Sequence, residues 1–191
     1  MAHPAGIGNE QVEHGVFINL EGLGLLITGA AGIGKSELAL ELITRGHPLI
    51  ADDAPLFKAN DQGEVIGSCP ELLKGFLEIR DLGILNIPAL FGVRSVSEPQ
   101  PLDFIIKLTS RKATPISPEE KLSGRRFKQT VCHTEIPGIM MSTRINRNLA
   151  ILVETAARNH LLKIKGYNPA SEFQSRLNTL INPDNPYSVN R

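Results

Sequence analysis

The sequence predicts an α/β fold in one domain: a mainly parallel core sheet, antiparallel hairpins at its flanks and helices toward the C-terminus. Three observations carry that expectation. The apolar run 23–28 leads straight into Gly29-Ala30-Ala31-Gly32-Ile33-Gly34-Lys35-Ser36, and an amphipathic run, 37–45, leads out. A second short apolar run, 49–51, follows that helix and ends in Asp52-Asp53. Strand, helix and strand in that order build parallel sheets. Further on, 104–108 reads as a strand and two amphipathic helices close the chain.

Composition sets outer limits. The 191 residues are 41% apolar and 21% charged, an ordinary globular balance and long enough for one full core. Basic and acidic residues number 20 each, so the formal charge is zero. A neutral chain lacks the basic footprint of a nucleic-acid or anionic-membrane partner, and neither is expected. No apolar run reaches membrane-spanning length, and the N-terminus has no signal-peptide pattern. Cys69 and Cys132 lack metal-ligand spacing. They read as reduced, buried thiols of a cytoplasmic protein, with a single disulfide as the alternative.

The elements follow in order. Residues 1–12 read as a loose terminus, 13–183 as the catalytic domain and 184–191 as a tail. Residues 16–18 begin a strand that turns at 19–22 into 24–27, so the strand before the loop carries an antiparallel neighbour. Ala39, Leu42 and Ile43 make one apolar face, which predicts a helix over 36–45, stopped by Gly46 and Pro48. Residues 56–58 and 64–66 read as a second hairpin around a polar, Gly-ended turn. A short helix is expected within 70–77. The run 77–87 alternates charged and apolar residues, as a half-buried strand or an ordered site loop does. Residues 87–91 read as one helical turn. Residues 109–128, with Pro115, Pro118 and Gly124, form the most loop-like stretch and the expected mobile segment. Strands are expected at 130–136 and 139–143. The helix over 148–163 has apolar residues on more than one face and reads as central and well buried. Asn168-Pro169 opens a last helix with Phe173, Leu177, Leu180 and Ile181 on one face.

The loop has the form G-x-x-x-x-G-K-S. Its glycines let backbone amides fold around an anion, and the following helix adds a favourable dipole. Gly29, Ala30, Ala31, Gly32, Ile33, Gly34, Lys35 and Ser36 are therefore the candidate nucleotide and phosphate cradle. Lys35 reaches the β and γ phosphates, and the Ser36 hydroxyl serves Mg²⁺. A ligand-free Gly-rich turn is the alternative. Phosphoryl transfer also needs carboxylates for metal and base, and Asp52 and Asp53 close the neighbouring strand. Adjacent residues of an extended chain point to opposite sides, so one can serve metal and the other act as base. Glu78 and Arg80 share a side, which converges them on a metal–phosphate cluster or leaves them as a surface ion pair. His14 is a site or a structural histidine. Arg144 and Arg147 are phosphate ligands or a helix-start basic pair.

Several stretches together resemble the bacterial HPr kinase/phosphorylase family: His14-Gly15-Val16, GAAGIGKSE (29–37), LIADD (49–53), LEIRDLGILNI (77–87), PALFG (88–92) and RNLAILVETAARNHLLKIKGY (147–167). The resemblance covers 14–167. It implies a P-loop kinase fold related to phosphoenolpyruvate carboxykinase. It implies phosphorylation of a serine on HPr or a related carrier, with ATP or pyrophosphate as donor, and removal of that phosphate by phosphorolysis. In this likeness Asp53 is the general base, acting as acid in reverse. Lys35 binds phosphate, Ser36 and Glu78 are Mg²⁺ ligands, and His14 is the site histidine. Residues 77–86 match the segment tied to both activities, and 142–147 the segment tied to dephosphorylation and subunit contact. A homo-hexamer is implied, as is a catalytic domain without the family's usual N-terminal domain, either excised or naturally short.

Three positions depart from the family pattern. Asp81 stands where the family has Gly, and Ile145-Asn146 replace a Pro-Gly. Lys121 falls where the family has a catalytic Arg, keeping the charge but losing the bidentate fork. Two rival readings fit the loop alone: a small-molecule kinase, and a nucleotide-sensing module that binds without transfer.

Overall fold

The computed structural model describes residues 10–110, 117–143 and 148–181. Its first part runs β1 (Glu10–Val12), β2 (Gly15–Leu20), β3 (Leu23–Thr28), α1 (Lys35–Thr44) and β4 (Leu49–Ala51). The middle holds β5 (Leu56–Ala59), β6 (Val65–Ser68), β7 (Phe76–Ile79), β8 (Gly83–Asn86), α2 (Ile87–Phe91) and β9 (Gln100–Pro101). The last part holds β10 (Phe104–Thr109), α3 (Pro118–Ser123), β11 (Arg126–Val131), β12 (Thr134–Ser142), α4 (Leu149–Ile164) and α5 (Pro169–Ile181).

Six strands form the central sheet in the order β11-β12-β10-β3-β2-β4. β3, β10 and β12 are parallel neighbours, with Ile106 opposite both Ile27 and Ile139. β2 runs antiparallel to β3 and β4, and β11 antiparallel to β12. The α/β class with a parallel centre and antiparallel flanks is therefore observed. One detail differs. β4 points the same way as β3 but lies one strand away, because a tight turn at Glu21-Gly22 (φ +56° and +89°) folds β2 between them.

Alternation sorts side chains to the two faces of this sheet. Val16, Ile18, Ile27, Ile106 and Leu108 meet α1 and α4 in one core. Phe17, Leu26 and Ile105 enter a second core with Phe57 and Val65, which lie on a four-stranded sheet ordered β1-β5-β6-β9. Phe17 and Phe57 meet edge to face, 5.3 Å between centroids. Each large apolar side chain so buried contributes roughly 1.5–3 kcal/mol. The exposed ion pairs contribute far less, so the two cores hold the layers together.

α1 buries Leu38, Ala39, Leu42 and Ile43, and Gly46 (φ +93°) ends it. Just past its end, Arg45 donates to Glu154 of α4 (Nε–Oε1 3.0 Å), and His47 Nε2 lies 2.9 Å from the same oxygen. Glu154 and His47 are both buried, so this cluster pins the phosphate-loop helix to α4.

Several local expectations change. Glu10–Val12, inside the segment read as loose, pairs with β5. The helix expected within 70–77 is only a 3-10 turn at Glu71–Leu73, and the chain turns extended at Phe76. The run 77–87 is a hairpin, β7 with β8. The strands expected at 130–136 and 139–143 are instead one hairpin that turns at Cys132-His133, both at positive φ (+45° and +65°). That turn lacks the Gly or Asn that marks such geometry. Pro137 did not break β12, because its ring nitrogen faces the β10 side, where pairing begins only at Gly138. The loop-like 109–128 contains α3, opened by a capping box of Ser117 and Glu120. α4 is not central: Ala150, Val153, Ala157 and His160 are buried, while Ile151 and Leu152 stay 49% and 38% exposed. No disulfide joins Cys69 and Cys132; Cys132 is buried and Cys69 half-buried. No helix among the described residues is long and apolar enough to cross a membrane.

Candidate active site

The loop between β3 and α1 is shaped by Gly29, Gly32 and Gly34, at φ +149°, +70° and +97°. Side chains are strained at Gly32 and Gly34, and glycine leaves the loop amides able to turn inward. Lys35 is the first residue of α1 and is only 8% exposed. Its Nζ donates to the carbonyls of Gly29 (3.0 Å) and Ala30 (3.3 Å), folding the ammonium across the loop.

His14 stands against that ammonium, with Nε2 3.2 Å from Lys35 Nζ. Its other nitrogen, Nδ1, is 3.0 Å from Asp53 Oδ1. The order of strands explains the meeting. His14 precedes β2, Asp53 follows β4, and the Gly15 amide donates to the Asp53 carbonyl at 3.2 Å. Asp53 has φ +62°, a left-handed conformation that costs an L-residue roughly 1–2 kcal/mol. Its carboxylate is 77% exposed, open to an incoming acceptor.

Asp52, its neighbour, takes a different partner. Its Oδ2 accepts from the Glu78 amide at 3.1 Å. Burial pushes the Asp52 carboxyl above its usual range, with Asp53 and Glu78 adding to the rise, while hydrogen bonds from the Glu78 and Asp53 amides work against it. Along β7, Leu77 and Ile79 are buried and Glu78 is exposed, as is Arg80 just past the strand end, so Glu78 and Arg80 share the outer face. The Arg80 guanidinium lies over the loop: a Cβ on Gly32 would sit 3.2 Å from Nη2. Asp81, at the position where the resemblance leads one to expect Gly, has φ +70°.

These groups line one cleft of about 290 Å³: His14, Ala31, Gly32, Gly34, Lys35, Ser36, Glu37, Asp52, Asp53, Glu78 and Arg80. Gly29, Ala30 and Ile33 belong to the loop without lining the cleft. Lys121 sits exposed on α3 and is not among the lining residues. Arg144 and Arg147 lie outside the described residues. Glu37 was missed in the sequence; its signal was its place two residues after Lys35, on the first turn of α1.

The donor set suits Mg²⁺. Among the described residues no cluster of three or more His, Cys, Asp or Glu forms a ready metal cage. Mg²⁺ needs no such cage, because it keeps waters and takes phosphate oxygens beside one or two protein oxygens. Ser36, Glu78 and Asp52 offer hard oxygen donors in the same cleft.

The comparisons with known proteins agree on one family. The profile of the HPr Serine kinase C-terminal domain matches residues 6–177. An HPr kinase/phosphorylase of Xanthomonas campestris pv. campestris (strain B100) is 44% identical over 174 residues, 91% of this chain and 55% of the relative. One of Xanthomonas oryzae pv. oryzae (strain PXO99A) gives the same figures, so the chain spans about half the length of these relatives. The solved structure of the Hpr(Ser) kinase/phosphatase from Coxiella burnetii superposes with a TM-score of 0.77 at 36% identity, covering 85% of this chain and 98% of that one. With a phosphate loop, a paired carboxylate strand end and the EIR hairpin meeting in one cleft, the chain belongs to the HPr serine kinase C-terminal domain family.

Proposed function

We propose that this chain is the catalytic unit of a serine protein kinase acting on an HPr-like phosphocarrier, and that it also removes the phosphate by phosphorolysis. One observation carries the reading. A single imidazole joins the candidate base to the phosphate-binding lysine, at 3.0 Å from Asp53 and 3.2 Å from Lys35. Base and cradle are thus held at opposite ends of one short row.

In the forward direction Asp53 accepts the serine proton as the serine oxygen bonds to the γ-phosphorus of ATP and the bond to the leaving diphosphate breaks. With pyrophosphate as donor, orthophosphate leaves instead. Lys35 and the inward amides stabilise charge on the transferring group. His14 orients the Asp53 carboxylate, and Arg80 closes over the loop. In reverse, an orthophosphate oxygen bonds to the phosphoserine phosphorus, the bond to the serine oxygen breaks as Asp53 returns the proton to it, and pyrophosphate is the product. Ser36 and Glu78, with Asp52 beside them, would hold Mg²⁺, which when bound supplies further neutralisation of phosphate charge. Arg144 and Arg147 complete the reading as phosphate or carrier contacts, as does Lys121, which stands on α3 outside the cleft lining.

The lining of the cleft supports pyrophosphate as a donor beside ATP. Among the described residues that line it His14 is the only ring, and the rest offer phosphate contacts rather than an aromatic platform for a base. The reading includes a homo-hexamer in the cytoplasm. Apolar side chains left exposed on α4 and α5, among them Ile151, Leu162, Phe173 and Leu180, support self-association.

The test is Asp53→Asn with ATP, Mg²⁺ and a purified HPr-like carrier, followed by mass spectrometry. Transfer is expected to fall by about 10²–10⁴ while nucleotide still binds. A normal rate would remove the base assignment. Incubating phosphorylated carrier with orthophosphate is expected to release pyrophosphate, and its absence from intact protein would end the phosphorolysis half.

A further inference from the structure

We infer that Asp52 is a positioning residue: its carboxylate grips the open edge of β7 and thereby aims Glu78 and Arg80 into the cleft. This rests on the reading of Glu78 as a metal ligand and assigns Asp52 the task of holding it.

β7 and β8 form a sheet of two strands that pairs with no other strand among the described residues. The Ile87 amide donates to the Gly75 carbonyl at 2.8 Å, and Phe76 pairs with Asn86. In an antiparallel pair, inward and outward amides alternate. Residues 75, 77 and 79 therefore turn their amides and carbonyls toward β8, and the Glu78 amide points to the bare edge. Asp52 Oδ2 receives it there at 3.1 Å. A charged acceptor makes this a stronger bond than a neutral pair would. The contact joins the end of β4, in the central sheet, to the middle of a hairpin that otherwise docks through buried Leu77 and Ile79 and partly buried Leu85. Apolar docking sets depth and leaves sliding along the strand weakly resisted. A directed bond to one amide sets the register. Since Glu78 and Arg80 are two residues apart on one face, that bond aligns the carboxylate and the guanidinium together.

A direct metal ligand and an edge clamp respond differently to substitution. Asparagine keeps a carbonyl oxygen able to accept the Glu78 amide, whereas alanine does not. The experiment compares Asp52→Ala and Asp52→Asn in the full chain. The readouts are amide hydrogen exchange at Glu78 and Mg²⁺ affinity in the presence of pyrophosphate. In Asp52→Ala, Glu78 exchange is expected to quicken by at least about tenfold, with Mg²⁺ and pyrophosphate binding weakened together. Asp52→Asn is expected to recover slow exchange and bring Mg²⁺ binding to within about threefold of the parent. The inference is overturned if Asp52→Asn loses Mg²⁺ as fully as Asp52→Ala, or if exchange at Glu78 is unchanged in Asp52→Ala. Should Asp52→Ala fail to fold, Asp52→Asn alone decides by the same Mg²⁺ criterion. Glu78→Gln separates the two layers of the argument. If it binds Mg²⁺ normally, the metal-ligand reading fails, while the exchange result still judges the clamp.

Discussion

Lys35 and Glu78 reach the same cleft from very different supports. Lys35 opens a helix that follows β3, and β3 is hydrogen-bonded on both sides within six strands. Glu78 lies on a hairpin of two strands, held by buried Leu77 and Ile79, by Leu85 packed beside them and by a bond to Asp52. Local stability follows packing and backbone pairing. The loop half of the site is therefore stiff, and the hairpin half is adjustable. In the proposed transfer, a stiff cradle would fix where phosphate sits, and an adjustable wall would follow charge as it moves between donor and acceptor.

The largest contrast should appear in amide exchange. Protection in β3 is expected to exceed that in β7 and β8 by about 10³ or more, and equal protection would dissolve the distinction. Next comes Glu154→Ala, which strips Arg45 and the buried His47 of their partner. A loss of about 3–5 kcal/mol is expected, read as a fall in Tm of one cooperative transition, because the anchor belongs to the stiff half. A pH series sharpens it. Burial works to raise the Glu154 carboxyl, but hydrogen bonds from His47 and Arg45 outweigh it and hold it below its usual range. A folded-state value below the unfolded one means stability that is present above the ordinary carboxylate range and lost as pH falls through the depressed value. Tm should drop in that acid window, and the drop should shrink in Glu154→Gln.

A smaller effect is expected for Gly32→Ala. A Cβ there meets Arg80 Nη2 at 3.2 Å, on a backbone at φ +70°. Pyrophosphate affinity should weaken by about tenfold, from roughly 1–2 kcal/mol of strain and a displaced guanidinium. If affinity is unchanged, Arg80 does not help close the cradle. The smallest effect belongs to Lys74→Ala, which removes the exposed Lys74–Glu98 pair (2.9 Å) just before the hairpin. No measurable change in Tm or in β7 exchange is expected. Faster exchange in β7 would move the hairpin's tether from Asp52 to this pair.

Much of the site was legible because its chemistry is local. The loop, its lead-in strand and its helix are contiguous, so spacing alone orders them. Glu78 and Arg80 share a face in any extended chain, whereas Asp52 and Asp53 part at a left-handed residue that alternation does not announce. What could not be read was nonlocal. Nothing in 15–20 says that this strand lies between β3 and β4, since an antiparallel neighbour satisfies the same apolar pattern on either side. The Asp52–Glu78 bond depends on which amides of β7 face outward, a matter of register. The Cys132-His133 turn was hidden because its residues do not announce positive φ. The apolar second face of α4 suggested burial, yet among the described residues nothing covers Ile151 and Leu152 fully.

The insertion of β2 between β3 and β4 sets a length. Strands in a sheet lie about 4.8 Å apart, so an acid at the tip of β4 stands roughly 10 Å across from the tip of β3. An adjacent strand would bring it to half that span, room enough for a metal or a water. In the proposed reaction the wider gap leaves room for a side-chain hydroxyl, together with the backbone that delivers it, between acid and phosphorus. In that reaction strand order would act as a gauge of acceptor size, and the His14 ring spans the gap between Asp53 and Lys35.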